Sequence, residues 1–278
     1  MNHDLADTFA QEVDRRASEQ RLDVFLSSRD AGHALTLDRL KAGVSLRRLI
    51  DTAADLARYA DEAIAIVMDE YRPRLDCKEG CSYCCCKPGV LISIPELLGI
   101  LEYMQTTFDA EAVSAVRERA RGYVGQLAGR SFDDPTDESF PCPLLSDGRC
   151  SVYAVRPLTC RGYNSTSVDA CRQAHEDRTA LVPIFSVIKD VTDGTTVGAA
   201  ARLRDVGFND SLVDLGTALN IALEGSERFS EAVAGGVAVL LEAQNSLWVQ
   251  ELWTRVRETA GRIGMEIAPT TSPTPEAS

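Results

Sequence analysis

Nine cysteines lie between Cys77 and Cys171, and none lies outside that stretch. The first group is Cys77, Cys81, Cys84, Cys85 and Cys86; the second is Cys142, Cys150, Cys160 and Cys171. The short separations within the first group let one tight turn aim two thiolates at the same ion, and Gly80, Pro88 and Gly89 allow the bends. Distant cysteines of the second group can complete a four-ligand shell. Thiolates suit zinc and iron–sulfur chemistry and exclude magnesium or calcium. An odd total with three adjacent cysteines fits a disulfide framework poorly, and burial as small hydrophobes would not concentrate them this way. The expected metal ligands are Cys77, Cys81, Cys84, Cys85, Cys142, Cys150, Cys160 and Cys171, holding zinc or iron, with an iron–sulfur cluster as one form. Two mononuclear sites, one cluster with spare cysteines and a multinuclear centre all satisfy the spacing.

Thiolates around a divalent ion leave net negative charge, which neighbouring cations and N–H groups stabilise. Lys78, Lys87, Arg149, Arg156, Arg161 and Arg172 all adjoin cysteines, and Arg156 and Arg161, flanking Pro157 and Cys160, are expected to support the centre. His175 follows Cys171 by four residues, one helical turn, and is a minor further ligand candidate. Asp133, Asp134, Asp137 and Glu138 read as a solvated loop, and Trp248 and Trp253 as core or interface residues.

The order CxxxCxxCC, then Cys-Pro-Leu-Leu, Gly-x-Cys-Ser-Val-Tyr and Arg-Pro-Leu-x-Cys-Arg-x-Tyr resembles a bacterial cysteine-cluster family described as a zinc- or iron-chelating domain. The matching residues are Cys77, Cys81, Cys84 and Cys85, then Cys142 with Pro143, Gly148 with Cys150 and Tyr153, and Arg156, Pro157, Cys160 and Arg161. Cys171 is similar to a trailing cysteine carried by some members. Cys86 stands where a non-cysteine commonly follows the pair, as a spare thiol or an alternative ligand. The family includes a flagellin lysine N-methylase. The resemblance therefore implies, as an alternative function, a metal- or iron–sulfur-dependent protein modifier using S-adenosylmethionine. A redox or metal sensor is a further alternative.

The 278 residues suffice for a sizeable core, and 45% hydrophobic content is ordinary for a globular chain. A formal charge of −13 disfavours nucleic acid and anionic membrane faces as partners. The expected partners are a metal ion and a protein partner or substrate. A charged N-terminus without an apolar core segment, and no span long enough for a bilayer, place the protein in the cytoplasm. No GxxxxGK[ST] loop, GxSxG elbow, HExxH pair or dinucleotide-type glycine signature is present.

Positioning the cysteines falls to helices, so the expected fold is mainly α, wrapped around an irregular, metal-pinned module. Residues 1–76 read as an N-terminal helical region. Its strongest helix runs from Ser45 to Glu70, with the stripe Leu46, Leu49, Ile50, Ala53, Leu56, Ala60, Ile64, Val67, and stops at Pro73. Residues 77–175 form the cysteine-rich module. Within it, Ser93 and Glu96 spell a capping box ahead of one helix, and 109–127 reads as another. Residues 176–267 form a C-terminal helical region, with a short strand at 181–189 and helices at 210–223, 228–243 and 246–262. Residues 268–278 read as a disordered tail.

Overall fold

The computed structural model describes residues 3–128, 139–177, 180–208 and 212–224, with side chains from residue 18 onward. The fold is mainly helical. Its α-helices are α1 (His3–Leu40), α2 (Leu46–Tyr71), α3 (Ile94–Thr107), α4 (Ala110–Leu127), α5 (Leu158–Gly162), α6 (Val168–Glu176), α7 (Ser186–Asp205) and α8 (Leu215–Glu224). Among the described residues two small antiparallel ladders join the helices: β1 (Leu91–Ile92) with β4 (Val213–Asp214), and β2 (Leu145–Ser146) with β3 (Arg149–Cys150).

The apolar stripe of α2 is buried through Leu49, Ile50, Ala53, Leu56, Ala60 and Val67, whereas Leu46 at its start is exposed and Ile64 half-buried. The Ser45 hydroxyl caps its start by accepting from Arg48 N, and Arg72 ends it in the left-handed region at φ 45°, just before Pro73. The capping box on α3 is formed in both directions between Ser93 and Glu96. Asp109 caps α4, accepting from Ala112 N at 2.8 Å. Leu97, Ile100, Ile92, Val213 and Leu219 build the main core, where α3, α8 and the β1–β4 ladder meet.

α1 and α7 run parallel along one another. Arg21 forms an ion pair with Asp190 near the start of α7, and His33 stands 3.6 Å from Asp205 at its end. Their backbones touch. A Cβ on Gly198 would lie 1.8 Å from the Arg29 carbonyl oxygen, and one on Gly194 2.3 Å from that of Phe25.

Two expectations for the C-terminal region are corrected. No strand forms over 181–189. The Phe185 N–H donates to Asn164 Oδ1 at 3.1 Å instead of to a partner strand, and α7 begins at the next residue. The helix expected over 210–223 starts later, at Leu215, because Val213 and Asp214 pair with β1. The helices expected at 228–243 and 246–262, Trp248, Trp253, the acidic run 133–138 and the tail lie outside the described residues.

Candidate metal centre

After α2 the chain enters the first cysteine segment, and Asp76 N and Cys77 N both donate to the Ser165 carbonyl, at 3.0 and 3.3 Å. Cys81 N closes a turn onto Lys78 O at 3.0 Å, with Gly80 at φ 86°. Residues Tyr83–Cys86 then form a 3₁₀ turn, in which side chains three residues apart lie over one another.

The second segment is stitched to that turn through the backbone. Cys142 N donates to Cys85 O at 2.7 Å, and Phe140 N to Cys86 O at 3.0 Å. Cys142 and Cys150 share one hairpin. Leu145 N donates to Cys142 O at 2.9 Å, and Leu145 lies opposite Cys150 in the ladder. Asp147 and Gly148 turn the hairpin, at φ 50° and 72°, the pairing that two-residue hairpin loops favour. Cys160 sits in α5. The Leu158 N–H at its start donates to Glu96 Oε1 at 2.8 Å, and Thr159 Oγ1 donates to Leu91 O at 2.6 Å.

These constraints bring seven cysteines to the wall of one cavity of about 440 Å³: Cys77, Cys81, Cys84, Cys85, Cys142, Cys150 and Cys160. Ile64 and Met68 of α2 and Ile188 of α7 supply apolar wall. Cys86 and Cys171 do not line it; Cys171 is buried within α6. As placed, no three His, Cys, Asp or Glu side chains among the described residues stand in the arrangement of a single-ion site. The donor set nevertheless has the chemistry that zinc and iron take.

Residues 76–181 match the family model CxxCxxCC, described as a putative zinc- or iron-chelating domain. The match spans all nine cysteines. No curated protein and no solved structure matches the chain. No helix among the described residues is long and apolar enough to cross a membrane.

Several of the cavity thiols are raised above their ordinary values. Burial pushes Cys142 up from 9.0 to about 12, with the neighbouring Cys150, Asp214 and Cys84 adding to it. Burial likewise raises Cys160 well above its ordinary value, helped by Cys142, Cys84 and Cys150. Cys77 and Cys150 are raised mainly by burial. Cys84 is raised first by its hydrogen bond with Cys85 and then by burial. A desolvated thiolate needs a compensating cation, and a metal ion supplies one.

The two arginines expected to support the centre differ in their surroundings. The Arg156 guanidinium lies over the Tyr153 ring, 4.0 Å from its centroid, and its charge favours the Cys150 thiolate. Arg161 is buried. It forms an ion pair with Asp61 of α2 and donates to Arg156 O at 2.9 Å and Ala154 O at 3.0 Å. Both line the cavity. His175 turns its ring toward Tyr83, with centroids 5.9 Å apart.

Three supporting groups escape a reading of the sequence. Asp61 carries no local sign of pairing with Arg161, a hundred residues on. The Ser165 carbonyl that anchors Cys77 is a backbone group and leaves no trace in side-chain type. Tyr123 donates to Asp214 Oδ2 at 3.0 Å and accepts from Gly89 N at 3.3 Å, holding the exit of the first cysteine segment. Glu96, by contrast, shows in the sequence as half of a capping box.

Proposed function

We propose that this protein chelates zinc or iron through cysteine thiolates of the 440 Å³ cavity. The observation that carries this reading is the convergence of two cysteine segments, far apart in the chain, on one cavity wall. The family match over residues 76–181 supports the same chemistry. Cys171, buried in α6 and within electrostatic reach of Cys77, adds one further thiol to the set. Arg156 and Arg161 support the centre in different ways. Arg156 offers charge to Cys150, and Arg161 fixes the backbone just before Pro157, at Ala154 and Arg156.

Anaerobic purification followed by elemental analysis tests the proposal. Bound zinc in a colourless protein, or bound iron with or without visible absorbance, supports it. Replacing Cys77, Cys81, Cys84 and Cys85 together by Ser should abolish metal content. Full metal retention by that variant would sink the ligand assignment, and a wild-type chain that holds no metal would sink the function.

A further inference from the structure

The cavity wall carries more than thiols. Lys78, Lys87 and Arg156 line it, and among the described residues none of the three forms an ion pair with a carboxylate. Other cations of this acidic chain are paired: Arg21 with Asp190, Arg39 with Asp55, Arg47 with Asp51, and Arg161, also on the wall, with Asp61. A zinc ion inside four thiolates carries a net charge of about −2, so three unpaired cations more than balance it.

Arg156 is half-buried, and its guanidinium is held as a fixed plane. It lies over the Tyr153 ring, 4.0 Å from the centroid, and donates through Nη1 to Tyr153 O at 3.3 Å. Its Nε and Nη2 donate to no group among the described residues. That edge takes a carboxylate by two parallel hydrogen bonds. Arg21 uses the same edge on Asp190, through Nε at 2.7 Å and Nη2 at 3.0 Å.

The same cavity has an apolar lining. Ile64, Met68 and Leu75 are half-buried, pack with Ile188 on the small core between α2 and α7, and turn further surface to the cavity. Its volume of about 440 Å³ falls within the range of small-molecule sites, roughly 300–1,000 Å³. With about 30 Å³ for each non-hydrogen atom, the share of one water in the liquid, on the order of ten such atoms fit beside a metal ion.

We infer that the cavity binds a small organic acid. Its carboxylate sits on the Nε and Nη2 edge of Arg156, and its apolar body lies along Ile64, Met68, Leu75 and Ile188. Lys78 and Lys87 add attraction for the anion. The site goes beyond the chelation reading and requires no ion at any particular thiol. No covalent bond forms or breaks.

Calorimetric titration of the reduced full chain with sodium octanoate tests this, with metal content measured in the same preparation. Octanoate should saturate at about one per chain. Octan-1-ol has the body without the charge, and acetate the charge without the body; each should bind at least about tenfold more weakly. Arg156→Lys keeps the positive charge and loses the planar donor edge, so its octanoate affinity should fall by about tenfold or more. Arg117→Gln, at an exposed position of α4 that does not line the cavity, should bind octanoate as wild type does. Should Arg156→Lys not fold, the three ligands on the wild-type chain decide. Octanol or acetate matching octanoate, unaltered affinity in Arg156→Lys, equal weakening in Arg117→Gln, or no octanoate binding would each overturn the acid site while leaving chelation intact. A chain that holds no metal and still takes up octanoate would overturn chelation and keep the acid site.

Discussion

The carboxylate of Glu96 joins two helix starts: Oε1 accepts the Leu158 N–H at 2.8 Å, and Oε2 accepts from Ser93 N and Ser93 Oγ, each at 2.7 Å. The first helical turns of α3 and α5 are thus capped by one side chain. Glu96→Ala removes the carboxylate half of the α3 capping box and strands a buried N–H at Leu158, which should cost about 2–4 kcal/mol. Urea denaturation of the metal-free protein measures this. Glu96→Gln retains acceptor capacity and should lose less than Glu96→Ala.

The close passage of α1 against α7 makes two glycine substitutions differ in sign. Gly198→Ala drives a methyl group into the Arg29 carbonyl and should destabilise by about 1–3 kcal/mol, because backbone cannot swing aside as a side chain would. Gly122 of α4 has open space around its Cβ position, so Gly122→Ala should stabilise by about 0.5–1 kcal/mol through helix propensity. Thermal melts of the two variants beside wild type decide it, and equal shifts would contradict the backbone contact.

Arg161 has its guanidinium buried, with Asp61 and two backbone carbonyls as partners. Arg161→Lys keeps the charge but cannot reach all three, and should cost about 2–3 kcal/mol in denaturant unfolding. Asp61 is about half exposed, so Asp61→Asn should cost less than Arg161→Lys.

The buried thiols set a pH dependence whose sign follows from their raised values. A thiol that holds its proton more tightly when folded contributes stability that is fully present below its unfolded value. That stability is lost as pH rises through its folded one. For Cys142 the window runs from 9.0 to about 12, and Cys77, Cys150 and Cys160 act in the same direction. The metal-free protein should therefore lose stability above about pH 9. At neutral pH each ligating thiol releases about one proton on binding metal, so affinity should rise with pH. Indicator dye in weak buffer during zinc addition reads the release. A titration without acidification would contradict thiol ligation.

Helix α2 and the Ser93–Glu96 box were legible because their signals are local: a stripe of period 3.6, and an acceptor three residues from a cap. Helix α7 was not. Val187, Ile188, Val191, Thr192, Thr195 and Val197 are β-branched, and Gly194 and Gly198 disfavour helix, so local preference reads as strand or break. The same residues are what lets α1 come within backbone contact, and that packing overrides the propensity. At the site, the cysteine spacing announced two segments. Their meeting is settled by bonds such as Cys142 N to Cys85 O, between backbone groups that every residue shares.

The α1–α7 pairing also bears on how the chain is made. Arg21 and Asp190 are 169 residues apart. At roughly 5–20 residues per second, a nascent α1 waits on the order of ten to thirty seconds before its partner is synthesised. Throughout that interval its α7-facing surface is uncovered outside the ribosome, and both cysteine segments emerge before it closes. The newborn chain thus presents reactive thiols together with an unpaired helix, a combination that invites chaperone capture during translation.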